Sequence, residues 1–182
     1  MNEDNVTIRP AQKGDSELIA KVVAMAIGTD DGSDLYPVFL ELAGREVAQY
    51  SYRNALVAEV DGRAVGAIVG YDGARLHELR EPIYDLLQKH LGKTIEIEEE
   101  TADGEFYLDS LAVLPECRGL GVGRLLLSAM IERAFSEGHE RAGLLVDFDN
   151  PRAEKLYASL GFERVDRTTF LGHDMWHLQV KR

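Results

Sequence analysis

The sequence predicts an α/β fold: a single mixed, mostly antiparallel sheet flanked by helices. Three observations predict it. Runs with strand alternation interleave with runs of helical periodicity in the order βααββ, an inserted segment, then βαβαββ. An Asp61-Gly62 pair between two apolar runs marks a tight hairpin. A strand ending at Val113 leads through a loop of three alternate glycines directly into a helix.

Taken in order, Val6 to Arg9 alternates like a short strand and stops at Pro10. Asp15 or Ser16 can cap a helix reaching about Ile27, with Leu18, Ile19, Val22, Val23 and Ala26 on one face. After the loop Gly28–Ser33, Leu35 to Ala48 reads as a second helix, apolar at Val38, Phe39, Leu42 and Val47. Ala55–Val60 and Ala64–Tyr71 are the two strands joined by Asp61-Gly62. Residues 72–105 form an insertion. Its amphipathic stretch carries Leu76, Leu79, Ile83, Leu86, Leu87 and Leu91, broken or started at Pro82, and its acidic tail EIEEET is expected in solvent. Phe106–Val113 is a strand, the stretch from Gly121 or Val122 to Ser136 a helix, and Ala142–Val146 a buried strand. Asn150 caps a last helix that has Pro151 in its first turn and Gly161 past its end. Phe162–Val165 and Met175–Val180 pair around a turn near Gly172.

The 182 residues suit one domain, 1–182, with the insertion at about 72–105. Hydrophobic content of 45% and charged content of 29% are those of an ordinary soluble protein. No apolar run approaches a membrane span, and the acidic N-terminus MNEDNVTIRP lacks the layout of a signal peptide, so a cytoplasmic location and no membrane partner are expected. The net charge of −12 argues against nucleic acid and is compatible with a cationic substrate such as an amine. Cys117, the single cysteine, excludes an internal disulfide and reads as a loop residue without chemistry. No Cys/His cluster has ligand spacing, so no metal is expected.

The chemistry concentrates in LAVLPECRGLGVGRLLL, Leu111 to Leu127. Gly119, Gly121 and Gly123 let the backbone approach a ligand, and the free amides of a helix start attract anions. Arg118 and Arg124 flank the turn with positive charge. No Lys-Ser or Lys-Thr follows, which excludes a P-loop, and the third glycine comes one residue early for a dinucleotide fingerprint. The run Arg118-Gly119-Leu120-Gly121-Val122-Gly123 fits R-x-x-G-x-G and resembles the pyrophosphate motif of the GCN5-related N-acetyltransferases, the GNAT superfamily. The preceding DSLAV-x-P resembles that family's fourth strand, and DNPRAEKLYASLGF, Asp149 to Phe162, its last core helix. The resemblance runs from about Val6 to about Val180.

The resemblance implies an acetyl-CoA-dependent N-acetyltransferase acting on a small-molecule primary amine by direct transfer in a ternary complex, with a homodimer among its assemblies. It implies that the amides from Gly119 to Arg124 hold the pyrophosphate. It implies that Leu111, Ala112 and Val113 bind the pantetheine arm where the fourth strand splays from the next, and that Asn150 touches the same arm. It further implies that Tyr157 protonates the departing thiolate. Strand parity puts Tyr107, Asp109 and Leu111 on one face, so Asp109 is expected in the cleft, as base or as a seat for the ammonium. Glu105, His173 and His177 are the next candidates for that role, while His77, His90 and His139 read as surface residues. Two alternatives remain: a protein-lysine or N-terminal acetyltransferase, and a noncatalytic CoA-binding module. A covalent route is disfavoured, because Cys117 precedes the phosphate loop and lies away from the thioester end.

Overall fold

The computed structural model describes residues 5–182. Residues 1–4, the start of the N-terminal stretch noted above, lie outside it. Seven strands form one sheet: β1 (Val6–Pro10), β2 (Ala55–Val60), β3 (Arg63–Asp72), β4 (Phe106–Val113), β5 (Arg141–Asp147), β6 (Glu163–Phe170) and β7 (His173–Lys181). Their spatial order is β1-β2-β3-β4-β5-β7-β6. Every neighbouring pair is antiparallel except β4 and β5. That parallel pair demands a crossover, and the helix between the two strands supplies it.

Helices α1 (Ser16–Ala26), α2 (Tyr36–Ala43), α3 (Leu76–Leu91), α4 (Val122–Ser136) and α5 (Pro151–Ala158) cover the sheet. One core layer joins Leu126, Leu127 and Met130 of α4 to Ile68, Phe106, Leu108 and Leu144, with Leu156 and Leu160 packed against it. The other joins Ile19, Val22 and Val23 of α1 and Phe39 of α2 to Val57, Val69, Tyr71 and Tyr107. Residues alternate between these layers along the strands, as a pleated sheet requires, except where a bulge shifts the register. The Asp61-Gly62 turn is as expected, with φ of 51° and 77° at the two residues.

Several local expectations fail for physical reasons. The second helix ends at Ala43, not Ala48: the chain turns at Gly44, Val47 is exposed, and the Gln49 amide instead donates to the Leu79 carbonyl at 2.7 Å. Pro82 neither breaks nor starts α3, which runs through it. An interior proline costs about 3 kcal/mol, but buried Leu76 and Leu79 on one side of it and Ile83, Leu86 and Leu87 on the other hold the helix in place. The EIEEET tail is not a solvated run, because Glu100 and Thr101 are buried. Cys117 sits in the turn between β4 and α4, as expected, and is buried against the α4 layer. The last hairpin is longer than expected and turns at Leu171-Gly172, both at positive φ.

Candidate active site

The sheet opens in its middle. β4 and β5 pair only at Phe106↔Ala142 and Tyr107↔Gly143. Beyond those rungs the strands diverge, and a cavity of about 790 Å³ enters the gap. Its lining draws on both core layers: Ile68, Leu127 and Leu144 from one, Phe39 and Tyr107 from the other. Asp109, Leu111, Asn150 and Tyr157 line it together.

β4 carries a bulge at its centre. Val69 pairs with Ser110 and Gly70 with Leu108, so Asp109 is an extra residue without a partner on β3. The bulge reverses the alternation beyond it. Tyr107 packs in the α1 layer, whereas Leu111 packs in the α4 layer and Ala112 in the α1 layer. The parity that placed Tyr107, Asp109 and Leu111 on one face therefore does not hold. Asp109 and Leu111 reach one cavity only because that cavity passes through the gap between the strands.

Asp109 stands in a dense polar network. Its Oδ2 accepts from Gln49 Nε2 at 2.8 Å and from the Tyr71 hydroxyl at 2.6 Å, and its Oδ1 from Ser110 Oγ at 2.8 Å. Gln49 Nε2 also donates to Glu100 Oε1 at 2.8 Å, while Gln49 Oε1 accepts from Arg80 Nε at 3.2 Å. Arg80 closes the network by an ion pair with Glu100 and by bonds to the carbonyls of Ile97 and Glu98 at 3.3 and 2.9 Å. Burial and the adjacent Asp109 charge raise the Glu100 pKa, against the lowering effect of Arg80. Burial and the same two carboxylates keep the Tyr71 phenol neutral, and so a donor. Removing one partner of such a buried pair typically costs about 3–5 kcal/mol, because the other charge is stranded.

The sequence did not single out Gln49, Tyr71, Arg80 or Glu100. One signal was available for Arg80: it lies four residues after Leu76 and three before Ile83, on the apolar stripe of α3, where a charge needs a buried partner.

The glycine loop forms at the C-terminal end of β4. Gly119 and Gly121 have φ of 79° and 75°, conformations that a side chain disfavours, and a Cβ on Gly119 would meet nothing within 4 Å. Gly121 is the N-cap of α4, so the amides of Val122, Gly123 and Arg124 lack an acceptor within the helix. Leu120 packs against the α4 layer and Val122 is buried in it. Arg118 folds back, its Nε donating to the Val113 carbonyl at 3.1 Å. Arg124 donates to Ser159 Oγ at 2.6 Å, which ties the start of α4 to the end of α5.

On α5, Asn150 caps the helix by accepting from the Ala153 amide at 3.1 Å. Tyr157 leans edge-on against Phe162, ring centroids 5.9 Å apart, and burial raises its pKa. Of the other candidates, Glu105 is buried and accepts from His177 Nε2 or shares its proton at 2.8 Å, while His173 pairs with Asp147 at 2.9 Å on the cavity rim. His77 and His90 pair with Glu99 and Glu41, and His139 meets Phe106 edge to face. Among the described residues no cluster of three or more His, Cys, Asp or Glu could hold a metal, and no helix is long and apolar enough to cross a membrane.

A family model described as "Acetyltransferase (GNAT) family" matches residues 26–162. The chain belongs to the GNAT acetyltransferase family. It is 34% identical to a crystal structure described as that of an acetyltransferase, with a TM-score of 0.81, covering 96% of this chain and 98% of that one. YncA from Salmonella typhimurium, solved with its cofactor acetyl-CoA, shares the fold at 22% identity and a TM-score of 0.65, covering 97% of this chain and 94% of that one. A mycothiol acetyltransferase of Paenarthrobacter aurescens is 27% identical over 172 residues, which are 93% of this chain and 46% of the relative. The chain thus spans about half the length of that relative.

Proposed function

We propose that the protein transfers an acetyl group from acetyl-CoA to a small primary amine, both bound at once in the opened sheet. The observation that carries this is the junction at β4. One end of the strand runs into an anion-ready glycine loop, and its middle lines the cavity that also holds Tyr157 and Asp109.

The residues present fit acetyl-CoA. The amides from Gly119 through Leu120, Gly121, Val122 and Gly123 to Arg124 would hold the pyrophosphate, with the helix dipole and Arg118 and Arg124 favouring its charge. Leu111, Ala112 and Val113, on the part of β4 that β5 leaves unpaired, would bind the pantetheine arm, together with Asn150. A fixed N–H on that strand would polarise the acyl carbonyl. Acetyl-CoA supplies an acyl group already activated as a thioester.

The exchange forms a C–N bond and breaks a C–S bond. The ammonium loses one proton before attack; in the transfer itself a first proton leaves nitrogen and a second must reach sulfur. The Tyr157 hydroxyl, kept protonated by burial, gives the second. Asp109 faces the acceptor. A carboxylate offers about four lone-pair positions, and three donors already occupy Asp109. Its remaining capacity suits holding the ammonium and passing a proton to water. Acetyl-CoA-dependent thiol release with an amine panel, alongside calorimetry of acetyl-CoA binding, tests the proposal. Gly121→Val should weaken acetyl-CoA binding by about tenfold or more, since a Cβ obstructs backbone approach; unchanged affinity would remove the loop from the site.

A further inference from the structure

Resting on that acetyl-transfer proposal, we infer that the acceptor is a small primary amine with an apolar body, an alkyl- or arylalkylamine, and not an amino acid, polyamine or aminoglycoside. The cavity's acceptor end has two unlike parts. Its floor holds two carboxylates, Asp109 and Glu100, against one guanidinium, Arg80, which is committed to Glu100 and two backbone carbonyls. The floor therefore carries a surplus of negative charge suited to a single ammonium. Its walls are apolar: Met25, Ile27, Leu35, Phe39, Ile95 and Leu171.

Three of these wall residues should not be exposed without reason. Ile27, Ile95 and Leu171 are 42%, 41% and 56% exposed, and they make up three of the five exposed large hydrophobic residues among the described residues. They come from the end of α1, the segment after α3 and the tip of the β6–β7 hairpin, so separate parts of the chain bring them to one opening. The tip is fastened there: the Leu171 amide donates to Glu98 Oε2 at 2.7 Å. An amino acid's carboxylate would face the floor without a free cation to pair with. A polyamine or sugar would press charges or hydroxyls against Ile, Leu and Phe at a desolvation cost.

The test is a series of n-alkylamines from propyl to heptyl, with phenethylamine, glycine ethyl ester, alanine, spermidine and an aminoglycoside, measured as kcat/KM. An acetyl-CoA titration by calorimetry runs alongside. Efficiency should rise about fourfold per methylene until the walls are covered. Ile95→Ser and Leu171→Asn should flatten that rise while leaving acetyl-CoA affinity unchanged. Asparagine tolerates the positive φ at position 171 and keeps the amide bonded to Glu98. A flat series, a preference for spermidine, alanine or the aminoglycoside, or transfer only to peptides with an apolar first residue would overturn the inference and leave acetyl transfer standing. Absence of acetyl-CoA binding would overturn the transfer proposal itself.

Discussion

The carboxylate of Glu105 occupies the space that a side chain on Gly143 would need. Gly143 forms the last rung between β4 and β5 before the strands part. Three donors or donor-capable groups, His177, Thr101 and Gln179, hold Glu105 there within 2.7–2.8 Å. The hinge of the opened sheet is thus a buried acid seated on a residue without a side chain.

Gly143→Ala should force that acid out of its seat. The expected loss is about 1–3 kcal/mol, the usual range for overpacking, read as a lower denaturation midpoint with an unchanged slope. A midpoint equal to the parent's would mean that Glu105 swings clear at no cost.

Glu105 also gives the fold an acid limit. Burial raises its pKa, but the bonds from His177, Thr101 and Gln179 outweigh burial and hold it below its ordinary value of 4.5. The unfolded chain therefore takes up this proton first as pH falls. The contribution is fully present above that ordinary value and is lost as pH drops through the lower folded value. The stability gap between the parent and Glu105→Gln should hold down to about pH 5 and narrow on further acidification. A constant gap would show that the charged form is not what the three partners favour.

Tyr157→Phe removes the proposed proton donor and keeps the ring against Phe162. Turnover should fall about 10²–10⁴-fold with acetyl-CoA affinity held. A value within a factor of two of the parent, with chemistry rate-limiting, would assign the proton to water.

Asp109→Asn separates the acceptor from the cofactor. Acetyl-CoA affinity should stay and efficiency toward the amine should fall. A higher KM with little change in kcat reports a seat for the ammonium; a lower kcat that recovers at higher pH reports a base. Parental efficiency across the pH range would move the role to Glu105, His173 or His177.

The sheet and the glycine loop were legible because local rules write them: a turn pair at Asp61-Gly62, glycines at Gly119 and Gly121 that adopt positive φ, a cap at Asn150. The polar network around Asp109 was not. Gln49 reaches Asp109 across 60 residues of chain and Glu100 across 51. No periodicity records such a meeting. The bulge at Asp109 was equally hidden, because a single extra residue leaves the strand's composition unchanged while reversing every face beyond it. The acidic tail misled for a related reason: a run of glutamates looks solvated until one of them finds an arginine on a buried helix face.

That arginine gives residues 93–102 their shape without any strand ladder. Arg80 grips Ile97 and Glu98 through their carbonyl oxygens alone, and the chain is anchored again where the Gly73 amide meets the Glu105 carbonyl at 2.9 Å. Backbone anchors are indifferent to the side chains they carry. The exposed side chain of Ile95 on the cavity lining can therefore change while the charged network and the sheet beneath stay as they are. The lining of this cavity is in that sense a replaceable facing on a fixed frame.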